Sequence, residues 1–305
     1  MKVLVTGAAG QLGSDVVKEL LRRNYNVIAS DRTPFQMEWA SSSDDASSSH
    51  VTMDITDEES VMHVFSDTMP DAVIHCAAWT AVDAAEKSEN HDSVWNVNVN
   101  GTSNIARACK KHGSKMVYIS SDYVFDGTGN EPWKPDCTDC APLNFYGKSK
   151  LAGENAISTI LDRFFIVRIS WAFGRNGNNF INTMLKLGRD KDEVSVVYDQ
   201  IGTPTYTVEL SRLLVDMIET DKYGIYHATN EGGYISWAEF AEAVFKEAGY
   251  ATKVKHVTSN EYGEMRAKRP ANSRLDKSKL KDNGFEPLSD WRDALVKYLE
   301  DIDIR

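Results

Sequence analysis

The sequence has few cysteines, no long apolar run and a shortage of positive charge. Its 305 residues include four cysteines, 34 lysines and arginines and 45 acidic residues, for a formal net charge of −11. No run of about 18 apolar residues is present, so no membrane-spanning helix is predicted. The excess negative charge predicts a surface that repels nucleic acid and anionic membranes. We therefore expect an anionic substrate to need a local basic pocket.

The cysteines and histidines do not show the spacing of a metal site. Cys137 and Cys140 form a C-x-x-C pair without the second pair that a zinc site needs, and we expect them in a surface loop, with a redox or metal role as the less favoured alternative. The seven histidines also lack ligand spacing, so no catalytic metal is predicted. The first residues, MKVLVTGAAG, pass from a short apolar run straight into glycines, which indicates a first strand rather than a signal peptide. We therefore expect a cytoplasmic protein.

Apolar segments alternate with amphipathic segments along the first 170 residues. This rhythm indicates an α/β protein of the Rossmann type, a doubly wound parallel sheet with helices on both faces. Predicted strands lie at 2–6, 26–30, 50–54, 71–78, 115–121 and 164–170. The polar stretch 41–49 is expected to be an exposed loop.

The rhythm loosens after residue 171, and this change predicts a second, smaller lobe. We expect a dinucleotide-binding domain over residues 1–170, to which residues 198–230 return. Residues 171–197 and 231–305 are predicted to form a substrate-binding lobe.

Three glycines follow the first predicted strand and open a helix. Gly7, Gly10 and Gly13 have the spacing G-x-x-G-x-x-G, which differs from the common dinucleotide fingerprint by one position. A pyrophosphate binds at such a helix N-terminus because free N–H groups and the helix dipole favour an anion. We expect Gln11 and Leu12 to contact the cofactor together with the glycines.

Two acidic residues end the next predicted strands. Asp31 would bind the ribose 2′-hydroxyl of NAD, whereas Arg32 beside it could attract the 2′-phosphate of NADP, so NADH and NADPH both remain open. Asp54, with Ile55, is placed to meet the adenine. The alternative for Asp54 is an acid near a helix N-terminus.

A tyrosine and a lysine stand four residues apart in the stretch NFYGKSKLAGE, residues 144–154. On a helix, Tyr146 and Lys150 would share one face. A neighbouring ammonium is expected to lower the pKa of the phenol, so that Tyr146 could transfer a proton near neutral pH. Ser121 ends the predicted strand 115–121, at the carboxyl edge where open parallel sheets bind ligands.

This Ser–Tyr–Lys set and the glycine loop resemble the extended short-chain dehydrogenase/reductase superfamily. The sequence further resembles the dTDP-4-dehydrorhamnose reductase family in six blocks that span most of the chain. These blocks are CAAWTAVDAAE (76–86), SSDYVFDG (120–127), APLNFYGKSKLAGE (141–154), RISWAFGRNGNNF (168–180), DQIGTPT (199–205) and RPANSRLD (269–276).

The resemblance implies reduction of the C4 ketone of dTDP-4-dehydro-L-rhamnose to dTDP-L-rhamnose, a sugar donor for cell-surface polysaccharide. It implies catalytic roles for Ser121, Tyr146 and Lys150, with Lys150 also binding the nicotinamide ribose. Further cofactor contacts are implied at Ala77, Ala78 and Thr80. The resemblance also allows a homodimer and a magnesium site, which the sequence does not locate. The alternatives are another nucleotide-sugar reductase or epimerase, or a non-catalytic regulatory subunit.

Several residues are expected to bind the nucleotide sugar. Trp171 offers an apolar ring to the sugar, the alternative being a core tryptophan. Arg269 and Arg274 could bind the pyrophosphate, the alternative being a solvated basic loop. The remaining expected contacts are Asp122, Tyr123, Asn178 and Asn179.

Overall fold

The computed structural model describes residues 1–35, 48–263 and 266–304. Its strands are β1 (Lys2–Thr6), β2 (Asn26–Asp31), β3 (Ser48–Thr52), β4 (Ala72–His75), β5 (Lys115–Ser121), β6 (Phe164–Ile169), β7 (Ala172–Phe173), β8 (Glu193–Val197), β9 (Ile201–Gly202), β10 (Thr205–Tyr206), β11 (Gly224–His227), β12 (Ile235–Ser236) and β13 (Lys253–Val257). Its helices are α1 (Gln11–Arg22), α2 (Glu58–Thr68), α3 (Val82–Ala85), α4 (His91–Trp95), α5 (Thr102–His112), α6 (Phe145–Ile160), α7 (Phe180–Asp190), α8 (Thr207–Ile218), α9 (Trp237–Glu247), α10 (Ser259–Tyr262), α11 (Ser278–Asp282) and α12 (Trp291–Asp301).

Seven strands form one parallel sheet in the order β11-β6-β5-β4-β1-β2-β3. Helices cover both faces of this sheet. Successive residues of each strand point to opposite faces, so they pack against different helices. Val3 and Val5 pack with residues of α1 and α8, whereas Leu4 between them packs with residues of α2 and α5. The predicted doubly wound α/β fold is confirmed.

Some predicted boundaries differ from the structure. The strand predicted at 50–54 is Ser48–Thr52, and residues 41–47 of the predicted loop lie outside the described residues. The strand predicted at 71–78 ends at His75, which leaves residues 76–80 as a loop at the sheet edge. A π-helical turn, Asn96–Gly101, separates α4 from α5.

The C-terminal residues build a second apolar cluster. Phe173, Leu185 and Val196 pack there against Phe240 of α9 and Leu295 of α12. The segment between the two parts returns to the sheet, where β11 pairs with β6 and α8 packs on α1. The division into two lobes at the residues named above stays a prediction. Within the described ranges, no helix is long and apolar enough to cross a membrane.

Candidate active site

The glycine loop joins β1 to α1 through two close backbone approaches. Gly7 has φ +66°, and a Cβ there would lie 2.7 Å from the backbone nitrogen of Ala77. A Cβ on Gly13 would lie 2.1 Å from the Gly7 carbonyl oxygen. Gly10 precedes α1 without a capping side chain, and the first turn carries no acidic residue. The N-terminal N–H groups of α1 are therefore placed for an anion such as a pyrophosphate, and the residues fit a dinucleotide.

The Asp31 carboxylate is fixed at the end of β2. It accepts hydrogen bonds from the backbone nitrogens of Ala9, at 3.1 Å, and Arg32, at 2.8 Å. Asp54 accepts from the Thr56 backbone nitrogen at 2.9 Å, whereas Asp57 caps α2. Asp54 is therefore not the capping residue of that helix.

A cavity of about 730 Å³ runs along the carboxyl edge of the sheet. It brings together most of the residues that the sequence predicts for the site. These are Gly7, Gly10, Gln11, Leu12, Gly13, Asp31, Arg32, Asp54, Ile55, Ala77, Ala78, Thr80, Ser121, Asp122, Tyr123, Tyr146, Lys150, Trp171 and Asn178.

Helix α6 places Tyr146 and Lys150 in this cavity. Asn144 caps the helix by accepting a hydrogen bond from the Gly147 backbone nitrogen at 2.7 Å. Gly147 lies against the Tyr123 carbonyl, where a Cβ would be 2.2 Å from the oxygen, so the helix start can approach the segment after β5. Tyr146 is 9% exposed and Lys150 is 2% exposed. Ser121, at the end of β5, lines the same cavity.

The expectation that Lys150 lowers the pKa of Tyr146 is wrong for this structure. Burial raises the pKa of Tyr146, the negative charge of Asp122 raises it further, and the hydrogen bond with Ser121 lowers it only in part. Burial also lowers the pKa of Lys150 to about 7. Burial therefore disfavours the charged form of the lysine as well as the charged form of the phenol.

Asn98, in the π-helical turn, connects the cofactor side of the cavity to α6. Its side chain accepts a hydrogen bond from the Trp79 backbone nitrogen at 2.8 Å and donates to the Ser149 hydroxyl at 2.9 Å. Ser149 lies between Tyr146 and Lys150 on α6. Asn98 was not among the predicted site residues. The run NVNVNG is a signal of irregular helix that could have pointed to it, because asparagine and glycine are poor helix formers.

Trp171 lines the cavity, and its backbone conformation is unusual. Its φ is +51°, a left-handed conformation that is rare for a bulky residue and costs of the order of 1–3 kcal/mol. The indole stacks on Trp237 of α9 with ring centroids 3.7 Å apart, and Gly202 leaves space beside it. Trp237 was also missed, because nothing in the local sequence of α9 indicates a partner 66 positions away.

Three predicted substrate contacts do not line the cavity. Asn179 caps α7 by accepting from the Asn182 backbone nitrogen at 3.0 Å. Arg269 forms an ion pair with Asp83 at 2.6 Å. Arg274 donates to the Asn272 side chain at 3.0 Å.

The predicted C-x-x-C pair packs inside a small cluster rather than only on the surface. Cys137 and Cys140 are half-buried free thiols that contact the Phe125 cluster. Arg168 donates to the Cys140 sulfur at 3.6 Å and forms a buried ion pair with Glu154 at 2.7 Å. Among the residues that the structure describes, no group of three or more His, Cys, Asp or Glu side chains could hold a metal ion.

Comparison with known proteins identifies the family. The family model described as "RmlD substrate binding domain" matches residues 1–304. The chain belongs to the RmlD family. It is 39% identical to dTDP-4-dehydrorhamnose reductase of Aggregatibacter actinomycetemcomitans, over 96% of this chain and 97% of that protein. It is 35% identical to dTDP-4-keto-6-deoxy-D-glucose reductase of Streptomyces niveus, over 96% of this chain and 95% of that protein.

A solved relative of the RmlD family supports the fold in detail. The crystal structure of dTDP-4-dehydrorhamnose reductase from Bacillus anthracis, in complex with NADP, superposes with a TM-score of 0.86 at 38% identity. The match covers 98% of this chain and 99% of that chain. That protein therefore shares its whole architecture with this chain, including the C-terminal part.

Proposed function

We propose that this RmlD-family chain reduces the C4 ketone of dTDP-4-dehydro-L-rhamnose to dTDP-L-rhamnose with NADPH or NADH, as a step in making cell-surface polysaccharide. The observation that carries the proposal is one cavity that holds a glycine loop suited to a pyrophosphate and, beside it, the Ser121, Tyr146 and Lys150 side chains. The nicotinamide, when bound, supplies the hydride that adds to the ketone carbon.

Tyr146 supplies the proton that completes the alcohol. Reduction needs a protonated donor, and a buried phenol with a raised pKa stays protonated at neutral pH. Ser121, within hydrogen-bond reach of the same phenol, holds the carbonyl oxygen and stabilises the negative charge that develops on it. The raised pKa of Tyr146 therefore suits a reductase.

Lys150 acts beside Tyr146 in two ways. With a pKa of about 7, it is partly charged at neutral pH and can give a proton to the phenolate that remains after the reaction. It also binds the nicotinamide ribose. The remaining cofactor contacts are the glycine loop, Asp31, Arg32, Asp54 and the loop that contains Ala77, Ala78 and Thr80.

The sugar binds on the side of the cavity that Trp171 lines. Trp171, held by its stack on Trp237, offers apolar ring surface to the sugar. Tyr123 and Asn178 line the same region and complete the proposed contacts. The buried Asp122 carboxylate accepts from Ser121 and is not among these contacts. We further propose that the chain is cytoplasmic. We also propose that it forms a homodimer, and sedimentation of the purified protein would test this oligomeric state.

An assay with purified protein tests the activity. Supplied with dTDP-4-dehydro-L-rhamnose, the enzyme should oxidise NADPH or NADH, which is followed as loss of the absorbance of the reduced nicotinamide. The parallel substrate dTDP-4-keto-6-deoxy-D-glucose should react more slowly. Cofactor binding without oxidation by either sugar would contradict the proposal. An epimerase would instead retain tightly bound NAD after dialysis, whereas a reductase releases its oxidised cofactor.

A further inference from the structure

The Asp122 carboxylate lies between two serine hydroxyls at the end of β5. Ser121 donates to its Oδ1 atom at 2.9 Å, and Ser273 donates to its Oδ2 atom. Asp122 is 1% exposed, Ser273 is 3% exposed and Ser121 is 7% exposed, so the three groups form a buried chain. Ser273 itself does not line the cavity.

Ser273 enters this chain from the C-terminal part of the protein and is held firmly. Its backbone nitrogen donates to the Ile201 carbonyl at 2.8 Å, and the Ile201 nitrogen donates to the Ala271 carbonyl at 2.8 Å. The neighbouring Asn272 side chain donates to the Thr128 carbonyl at 3.1 Å. The Ser273 hydroxyl therefore holds one oxygen of Asp122 from a fixed backbone.

The Ser121 hydroxyl has one hydrogen to give. In the structure that hydrogen is directed at Asp122, while the Ser121 oxygen accepts from the Tyr123 backbone nitrogen at 3.2 Å. A carboxylate is a stronger acceptor than a neutral carbonyl, so charged Asp122 competes with a substrate ketone for this hydrogen. Protonated on Oδ1, Asp122 would instead donate to the Ser121 oxygen and leave the Ser121 hydrogen free for the ketone.

We propose that Asp122 is a positioning residue that sets the direction of the Ser121 hydroxyl, and that Ser273 orients the carboxyl group so that Oδ1 faces Ser121. This inference rests on the proposed reductase function. Burial raises the pKa of Asp122 to about 6, so both forms are populated between pH 5 and 7. The titratable groups around it are Tyr146 from α6 and Tyr123 from its own turn, and both phenols have raised pKa values and stay protonated in this range.

The pH dependence of kcat/KM tests the role of Asp122. Between pH 5 and 7 the wild-type value should fall roughly tenfold, because about one tenth of the acid form remains one pH unit above the pKa. Asp122→Asn is uncharged, and its amide can donate to Ser121 while its carbonyl accepts from Ser273. Its kcat/KM should fall no more than about twofold over the same range. A tenfold fall in the variant, no fall in the wild type, or loss of activity in Asp122→Asn at every pH would overturn the proposal.

Substitutions of Ser273 test the orienting role. Ser273→Ala removes a hydrogen bond that favours the charged form of Asp122, so the midpoint of the fall should move to higher pH. Ser273→Thr keeps the hydroxyl and should keep the wild-type profile. Equal effects of the two substitutions would mean that Ser273 only fills space, and the inference would be wrong. NADPH affinity, unchanged within about twofold, would show that each variant is folded.

Infrared difference spectra between pH 5 and 7 separate this inference from the proposed function. The band of a protonated carboxyl group should be present in the wild type, absent in Asp122→Asn, and titrate at higher pH in Ser273→Ala. This result supports the inference even if neither sugar is reduced. An identical titration in wild type and Ser273→Ala overturns it even if the reductase activity is confirmed.

Discussion

The Nζ atom of Lys150 lies 4.1 Å from the centre of the Tyr118 ring, beneath the cavity. Tyr118 is fully buried in β5, so the lysine is held against an aromatic face in a setting with little water. A cation over a ring gains electrostatic attraction, but burial of the charge costs more here, because the pKa of Lys150 falls to about 7.

Lys150→Met should stabilise the fold at neutral pH. The native lysine has a lower pKa than the unfolded lysine, so the unfolded state binds more protons between about pH 7 and 10 and the wild type gains stability as pH rises through this window. At pH 7 the free energy of unfolding of the variant should therefore exceed that of the wild type by on the order of a few kcal/mol. The difference between the two proteins should shrink by pH 10. Chemical denaturation at both pH values measures it.

Lys148→Met is the matched control for this measurement. Lys148 lies on the same helix but is exposed. Its substitution should change stability by less than about 0.5 kcal/mol at either pH. A Lys150→Met variant that is less stable than wild type at pH 7 would show that the lysine is not penalised by burial.

Tyr146→Phe should lose most turnover and keep the cofactor. Removal of one positioned proton donor usually lowers the rate by about 10²–10⁴-fold. The expected result is a fall of this size in kcat with NADPH affinity unchanged, measured by steady-state kinetics and by calorimetry. Tyr198→Phe, at an exposed tyrosine outside the cavity, is the control and should keep the wild-type rate. A Tyr146→Phe enzyme with normal kcat would remove the proton donor from the mechanism.

Gly7→Ala should abolish cofactor binding, whereas Gly113→Ala should not. Both glycines have positive φ, +66° and +72°, so each substitution strains the backbone by about 1–2 kcal/mol. Only at Gly7 does the added methyl group also meet backbone, at 2.7 Å from the Ala77 nitrogen, because nothing lies within 4 Å at Gly113. Titration with NADPH distinguishes the two effects. Equal losses in the two variants would mean that the strain alone matters.

Asp31→Ala should shift cofactor preference toward NADPH. The carboxylate would repel a 2′-phosphate and accept from a free 2′-hydroxyl, so its removal should raise the ratio of NADPH to NADH affinity roughly tenfold. Arg32→Ala should shift the ratio in the opposite direction. Binding of each reduced cofactor, followed by its fluorescence, gives the ratio. If the ratio stays constant in both variants, Asp31 and Arg32 do not discriminate between a ribose with a 2′-hydroxyl and one with a 2′-phosphate.

The parts of the site that the sequence predicts well are those that local spacing fixes. The glycine loop needs only a strand, three glycines and a helix in succession, and the Tyr146–Lys150 pair needs only one turn of α6. In the structure this helix begins after Asn144, whose side chain caps it. Such features depend on neighbours within a few residues, so they can be read before the fold is known.

The parts that the sequence does not predict depend on tertiary contacts. In the sequence, nothing near Arg269 indicates a partner for it. In the structure it pairs with Asp83, which lies 186 positions away along the chain. The pKa of Tyr146 depends on how deeply α6 is buried, which a Y-x-x-x-K spacing does not report. The same holds for three further residues, whose partners come close only in the folded protein: Asn98, Trp237 and Ser273.

The pairing of β11 with β6 bears on attempts to divide this protein. A fragment that stopped at residue 170 would lack β11, and the last strand of the sheet would present a row of unpaired amide and carbonyl groups flanked by buried apolar side chains. Exposed edges of this kind recruit other chains and aggregate. The nucleotide half of the molecule is therefore expected to be insoluble by itself, and only polypeptides that reach beyond His227 should supply the strand that covers β6.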